Sequence, residues 1–235
     1  MTDWRIKHGQ IIASFLNYLN ARSSRFILKG GTALHLCYKL DRFSEDIDLD
    51  GREKGLPALV NDFCQDSGYT YRLAKDTETV ERCFMNYGNA GKPLKIEVSY
   101  RRKDIPNIEI KKINGILVYD IETICLMKCA AYAGRDKIRD LYDLTFICNN
   151  YFDRLSEPTR AVMRNTVEYK GIEQFDYVIR TQADGLIDNK KLSDDFLDMY
   201  ERLGLLYAKG ELKMLSETLS ELDAENEQNE EDWGG

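Results

Sequence analysis

Phe26-Ile27-Leu28-Lys29-Gly30-Gly31-Thr32-Ala33-Leu34, followed shortly by Arg42-Phe43-Ser44-Glu45-Asp46-Ile47-Asp48-Leu49, is the stretch that decides the fold. Arg25 to Leu28 reads as a short buried strand running into a glycine pair. Thr32 to Lys39 has helical character, with Thr32 placed to cap its start. Ile47-Asp48-Leu49-Asp50 alternates apolar and acidic residues, the period of a strand. Residues i and i+2 of a strand point the same way, so Asp46 and Asp48 converge. Two carboxylates that close repel each other unless a cation lies between them. Magnesium (or manganese), held by one or two carboxylates plus substrate phosphates, is the natural occupant. The glycines Gly30 and Gly31 let the backbone approach phosphate oxygens, and the amides of the following helix start, at Thr32, attract anions. Strand, glycine turn, helix and acid-bearing strand, in that order, describe a site for a nucleoside triphosphate bound through its metal.

Outward from this window the pattern is mixed and then helical. Ile11, Ile12, Phe15, Leu16 and Leu19 recur at helical spacing ahead of it. Strand-like runs follow at Tyr69–Leu73, Val80–Asn86 and Leu94–Tyr100, with Asn89, Gly91 and Pro93 marking a turn between the last two. From Asp120, a plausible cap, Ile121, Ile124, Leu126, Met127, Ala130 and Ala131 supply a broad apolar helical face that Gly134 ends. A second helix is expected from Ile138 to Cys148, and helical stretches continue to Leu222 without an internal repeat. The expected fold class is α+β: a nucleotide-handling mixed-sheet core with flanking helices over 1–118, a helical domain over 119–222, and a disordered acidic tail over 223–235.

Composition narrows the setting. The chain has 235 residues, 31% of them charged and 43% hydrophobic, an ordinary balance for soluble domains. No window reaches the ~18 to 20 apolar residues that a membrane span requires, and the amino terminus lacks a signal-peptide core. A cytoplasmic protein with no membrane contact is expected. The six cysteines form no CxxC pair, which suits scattered buried thiols. The net charge of −7 is concentrated in the tail: from Glu217 onward there are eight acidic residues and no Lys or Arg, leaving the body close to neutral. Local basic runs stand at Arg101-Arg102-Lys103 and Lys111-Lys112.

The central window resembles the nucleotidyltransferase superfamily signature, Gly-Gly or Gly-Ser followed by an Asp-apolar-Asp triplet. It is more closely similar to the bacterial abortive-infection toxin family AbiEii/AbiGii of type IV toxin–antitoxin systems, which shares Gly-Gly-Thr-Ala-Leu and Arg-Phe-Ser-x-Asp-Ile-Asp-Leu. Fourteen residues separate Gly31 from Asp46, as in that subfamily. The superfamily needs a third carboxylate on a later strand. In Lys95-Ile96-Glu97-Val98-Ser99 the only acid between Leu94 and Tyr100 is Glu97, where the family often has Asp. Such an acid can ligate metal and act as base toward an incoming hydroxyl. Lys128, with Arg135-Asp136-Lys137-Ile138-Arg139-Asp140-Leu141-Tyr142-Asp143-Leu144, is similar to the family's later motif. The resemblance implies that Lys128 and Asp143 matter for activity. Lys128 would neutralise the triphosphate, and Asp140 or Asp143 would orient that lysine or contact the base. A surface ion-pair hairpin including Arg135 is the blander alternative.

Other residues stay open. Lys29 is either a phosphate contact or a solvated strand-end lysine, and Ser44 either bonds phosphate or shapes the turn. His8 and His35 lack metal-like partners and read as structural. The expected activity is transfer of a nucleotidyl group from a nucleoside triphosphate to a hydroxyl. Family resemblance implies RNA, with tRNA foremost, or a protein side chain as acceptor, and a cognate antitoxin as partner. The rival is a catalytically inactive nucleotide-binding or protein-interaction module on the same fold.

Overall fold

The computed structural model describes residues 3–88, 92–102 and 104–206, and the chain divides into two compact units at Ile124/Cys125. The expected helix beyond residue 206, the acidic tail, the turn residues Asn89 and Gly91, and Lys103 lie outside the described residues.

The first unit opens with helix α1 (Asp3–Arg22), which buries Ile11, Ile12, Phe15, Leu16 and Leu19. Strand β1 (Phe26–Lys29) passes into helix α2 (Gly30–Tyr38), and strand β2 (Ile47–Gly51) follows. Helix α3 (Leu56–Ser67) leads to strands β3 (Thr70–Asp76), β4 (Val80–Asn86) and β5 (Leu94–Ser99). Strands β6 (Ile110–Ile113) and β7 (Ile116–Tyr119) complete a seven-stranded mixed sheet in the order β3-β4-β5-β2-β1-β7-β6. β2 runs antiparallel to β1 and parallel to β5, so it stands near the middle of the sheet with neighbours drawn from distant parts of the chain. Side chains alternate along β5, with Leu94, Ile96 and Val98 fully buried and Lys95, Glu97 and Ser99 toward the opposite face. The α+β expectation for a nucleotidyltransferase-like core holds.

One local expectation needs correction, and two elements stand where none was expected. Thr32 does not cap α2: the helix begins at Gly30, no side chain caps it, and the Thr32 hydroxyl bonds across the fold instead. Helix α3 carries apolar residues at Leu56, Val60 and Phe63, and its exposed amides at Gly55 and Leu56 are met by the buried carboxylate of Glu81. The β6–β7 hairpin turns on Asn114-Gly115, both at positive φ (50° and 85°), the geometry a two-residue hairpin turn demands. Neither element was expected from the pattern of apolar residues.

The second unit is helical. Helix α4 (Ile121–Gly134), whose first turn is capped by Asp120 accepting from the Thr123 amide at 2.8 Å, crosses into it. Helix α5 (Ile138–Tyr151) runs past the expected end at Cys148. Helix α6 (Glu157–Thr181) is bent at Gly171, where φ is +70°. Helix α7 (Asn189–Arg202) packs on α5, and its Phe196 stacks on Phe175 of α6 at 3.9 Å between centroids. All six cysteines are free thiols, five of them buried. No helix among the described residues is long and apolar enough to cross a membrane.

Candidate functional site

The glycine pair joins β1 to α2 without an intervening loop. Gly30 sits at φ +74°, a conformation L side chains rarely adopt, and a Cβ there would lie 3.4 Å from Asp48 Oδ2. The turn is therefore pressed against the acid-bearing strand. Gly31 plays a different part: a Cβ on it would meet Arg42 Nη2 at 2.8 Å and Ser44 Oγ at 3.0 Å. Its missing side chain makes room for the Arg42–Ser44 loop. The Thr32 hydroxyl reaches both the Asp46 carbonyl and, at 2.8 Å, Ser44 Oγ. A carbonyl only accepts, so the single Thr32 proton goes to Asp46 and the Ser44 hydroxyl donates to Thr32. Thr32 and Ser44 thus fix the chain just ahead of Asp46. His8 tightens the same loop by donating from Nε2 to the Glu45 carbonyl at 2.7 Å, while its Nδ1 accepts from Tyr87. His35 bonds the Leu40 carbonyl at 2.9 Å, so both histidines are structural as expected. The start of α2 has no side-chain cap and no acid in its first turn, leaving its amides available to an anion.

Asp46 immediately precedes β2 and Asp48 lies within it, two residues on and on the same face. The parallel register places Asp48 directly beside Glu97 on β5. The expected three acids therefore do meet on one sheet face. Cations that the sequence reading missed meet them: Lys95 Nζ lies 2.8 Å from Asp46 Oδ2, and Arg82 of β4, the register partner of Glu97, forms a close ion pair with it. Lys29 pairs with Asp50 at 2.5 Å. Asp48 alone of these carboxylates makes no ion pair or side-chain hydrogen bond among the described residues. Its pKa is raised, first by burial and then by Asp46 and Glu97, against the lowering pull of Lys95 and Lys29. This is an electrostatic deficit that a cation would fill. No group of three or more acid, histidine or cysteine side chains among the described residues forms a cage of its own. The donor set fits instead an ion held by one or two carboxylates and completed by phosphate oxygens.

In the second unit, Lys128 of α4 lies 2.5 Å from Asp143 and 3.2 Å from Asp140, both on α5. Arg135 adds two bonds to Asp140, at 2.7 and 3.2 Å. Exposure is 8% for Lys128, 1% for Asp140 and 0% for Asp143, so this is a buried cluster and the alternative of a surface ion-pair hairpin falls away. Burial works against ionisation of Asp140, but the Arg135 hydrogen bonds and the Lys128 charge outweigh it and hold its pKa below the usual value. Both aspartates orient Lys128, where the sequence reading had left the choice open.

The Lys95-Ile96-Glu97 alternation was enough to place Lys95 on the Glu97 face. Nothing local pointed to Arg82, because its place depends on the β4–β5 register.

Over residues 15–209 the chain matches the family model described as nucleotidyl transferase AbiEii toxin, type IV TA system. Among solved structures it resembles JHP933 from Helicobacter pylori, with 26% identity, 96% of this chain and 99% of that chain covered, and a TM-score of 0.72. It shares the fold of MenT4, a nucleotidyltransferase toxin from Mycobacterium tuberculosis H37Rv, at 16% identity over 93% of each chain with a TM-score of 0.55. No protein of curated function matches the sequence significantly.

Proposed function

The chain belongs to the AbiEii family of nucleotidyl transferase toxins of type IV toxin–antitoxin systems, and from that premise we propose that it moves a nucleotidyl group from a nucleoside triphosphate to a hydroxyl of RNA, with tRNA the foremost acceptor. The observation that carries the reading is Asp48. It lies under the glycine turn, beside Glu97 and two residues from Asp46, and it is the one carboxylate of the face that the protein leaves without an ion pair among the described residues.

In this reading Asp46 and Asp48, with Glu97 beside them, would hold the magnesium or manganese that arrives with the triphosphate. That ion, when bound, stabilises charge on the phosphoryl oxygens. The free amides at the start of α2 receive phosphate oxygens, Gly30 and Gly31 allow the approach, and Lys29, Thr32 and Ser44 line it. The acceptor oxygen bonds to the α-phosphorus, the bond from that phosphorus to the β-phosphate bridging oxygen breaks, and pyrophosphate leaves. Glu97 takes the hydroxyl proton after Arg82 shifts off it. Lys128, held by Asp140 and Asp143 with Arg135 in support, is the residue of the second unit to which family membership suggests a part in activity.

An RNA acceptor is supported by the same sheet face. Outward from the carboxylates it carries Lys95, then Arg82 and Phe84, then Lys75 and Arg72, with Arg72 over the Phe84 ring at 5.1 Å. Exposed cations beside an aromatic ring suit a single-stranded polynucleotide. A cognate antitoxin protein is the further partner that family membership suggests.

The test is incubation of the protein with each labelled nucleoside triphosphate, magnesium and total cellular RNA. Label should enter a discrete RNA class, depend on added metal, and vanish in Asp48→Asn. Label entering protein only, or metal-independent transfer, would overturn the reading.

A further inference from the structure

Asp46, Asp48 and Asp50 project from the same face of β2, and the two outer ones are each met by a lysine. The acid of the second pair, Asp50, has no part in the reaction described above. Lys29 ends β1, and the antiparallel register sets it directly across from Asp48. Side chains at register-paired positions share a face, so the nearest acid by position is Asp48. The Lys29 ammonium nevertheless sits on Asp50 Oδ1 at 2.5 Å, diagonally along the strand. Asp50 is only 3% exposed, and its second oxygen accepts from the Tyr119 hydroxyl at 3.0 Å. With both oxygens engaged and the group buried, Asp50 is in no position to bind an ion itself. It is held by Tyr119 as a fixed anion at the covered end of the face, and it takes the lysine whose register partner is Asp48.

We infer that Asp50 is a positioning residue that keeps Lys29 off Asp48, so that Asp48 stays open to the divalent ion of the incoming triphosphate. The inference rests on the metal-binding reading of Asp48. A mobile ammonium and a divalent ion compete for the same carboxylate, and a cation at close range holds a carboxylate by about one to three pKa units. Loss of the Asp50 charge would release Lys29 to its register partner and turn it into an internal competitor.

The experiment measures binding of manganese alone by electron paramagnetic resonance of the free ion, on the full chain. The comparison covers wild type, Asp50→Asn, Lys29→Met and the double variant. Asp50→Asn keeps the side-chain shape and one acceptor oxygen while removing the charge, and a circular-dichroism melt verifies its fold. Asp50→Ser serves the same comparison if it does not fold. Asp50→Asn should weaken manganese binding roughly tenfold or more. The double variant, with the competing ammonium gone, should return to within about twofold of wild type, which a merely structural role for Asp50 would not produce. Unchanged binding in Asp50→Asn, or a double variant as weak as the single, would overturn the inference while leaving the metal role of Asp48 standing. A wild-type protein that binds no manganese, or an Asp48→Asn variant that binds it as wild type does, would overturn the metal reading and this inference with it.

Discussion

Replacing Lys128 by Met, Asp143 by Asn, and both together separates chemistry from scaffolding in the buried cluster of the second unit. Lys128→Met removes an ammonium 2.5 Å from a fully buried carboxylate and 3.2 Å from Asp140, which keeps Arg135. Breaking a buried pair by removing one partner costs about 3–5 kcal/mol. Because Asp140 retains a cation, the lower end, about 3 kcal/mol, is expected. For a chain of this size that corresponds to a fall in Tm of roughly 6–12 °C. Asp143→Asn should cost a comparable amount, since it leaves the buried lysine only Asp140, which Arg135 shares. The double variant has neither charge, and removal of both partners of a buried pair is close to neutral. It should therefore recover most of the Tm, so the two losses are far from additive and the coupling energy is about 5 kcal/mol. Transfer rate behaves differently if Lys128 meets phosphate oxygens: it should stay at least about a hundredfold down in Lys128→Met and in the double variant alike. Thermal melts and initial transfer rates on the same preparations decide the matter. A double variant that regained both stability and rate would make Lys128 structural.

Asp48→Asn should abolish transfer, by about a hundredfold or more, yet raise Tm at neutral pH. Because the folded-state pKa of Asp48 is raised, its stabilising contribution is present below the ordinary carboxylate pKa and is lost as pH rises through the folded value. The Tm difference between Asp48→Asn and wild type should accordingly grow from pH 4 to pH 7, and a constant difference would refute this. Gly31→Val should displace Arg42 and Ser44, lowering Tm and weakening triphosphate binding together; loss of binding at full stability would mean that phosphate itself occupies that space. Arg72→Ala with Lys75→Ala should weaken binding of a single-stranded RNA and reduce the slope of log affinity against log salt by roughly 1.4, with triphosphate affinity unchanged; an unaltered slope would remove this face from the RNA path.

The strands and the glycine turn were legible because their signals are local: alternation over Ile47–Asp50 and Leu94–Ser99, and a glycine pair ahead of an apolar helix. Asp46, Asp48 and Glu97 could be placed on one face from period alone, given that the two strands were neighbours. The ion pairs were hidden because they depend on register: Arg82 reaches Glu97 only because β4 pairs with β5 at that residue, and Lys29 reaches Asp50 along the diagonal. Thr32 was misread as a cap because local propensity favours Thr there, and a tertiary bond to the Asp46 carbonyl prevailed. The hairpin at Asn114-Gly115 and the Leu56, Val60, Phe63 spacing of α3 were signals present in the sequence that the apolar runs on either side overshadowed. The Lys128 cluster was legible in composition but not in burial, which decides between a surface hairpin and a buried charge network.

The strand order also sets the moment in synthesis at which the site first exists. β1 and β2 form a hairpin as soon as residue 51 is made, and Asp46 and Asp48 are already on it. Their neighbour β5 arrives 49 residues later by the Asp48–Glu97 register, and β1 gains its other flank only when Val118 pairs with Leu28. At translation rates of about 5–20 residues per second, several seconds separate the first carboxylates from the completed sheet. Both late pairings are parallel and non-local, the kind that forms slowly. A chain abandoned before β5 is made therefore carries Asp46 and Asp48 without Lys95 and Glu97 beside them. Ribosome-stalled fragments of this chain that end before β5 lack the third carboxylate of the face by topology.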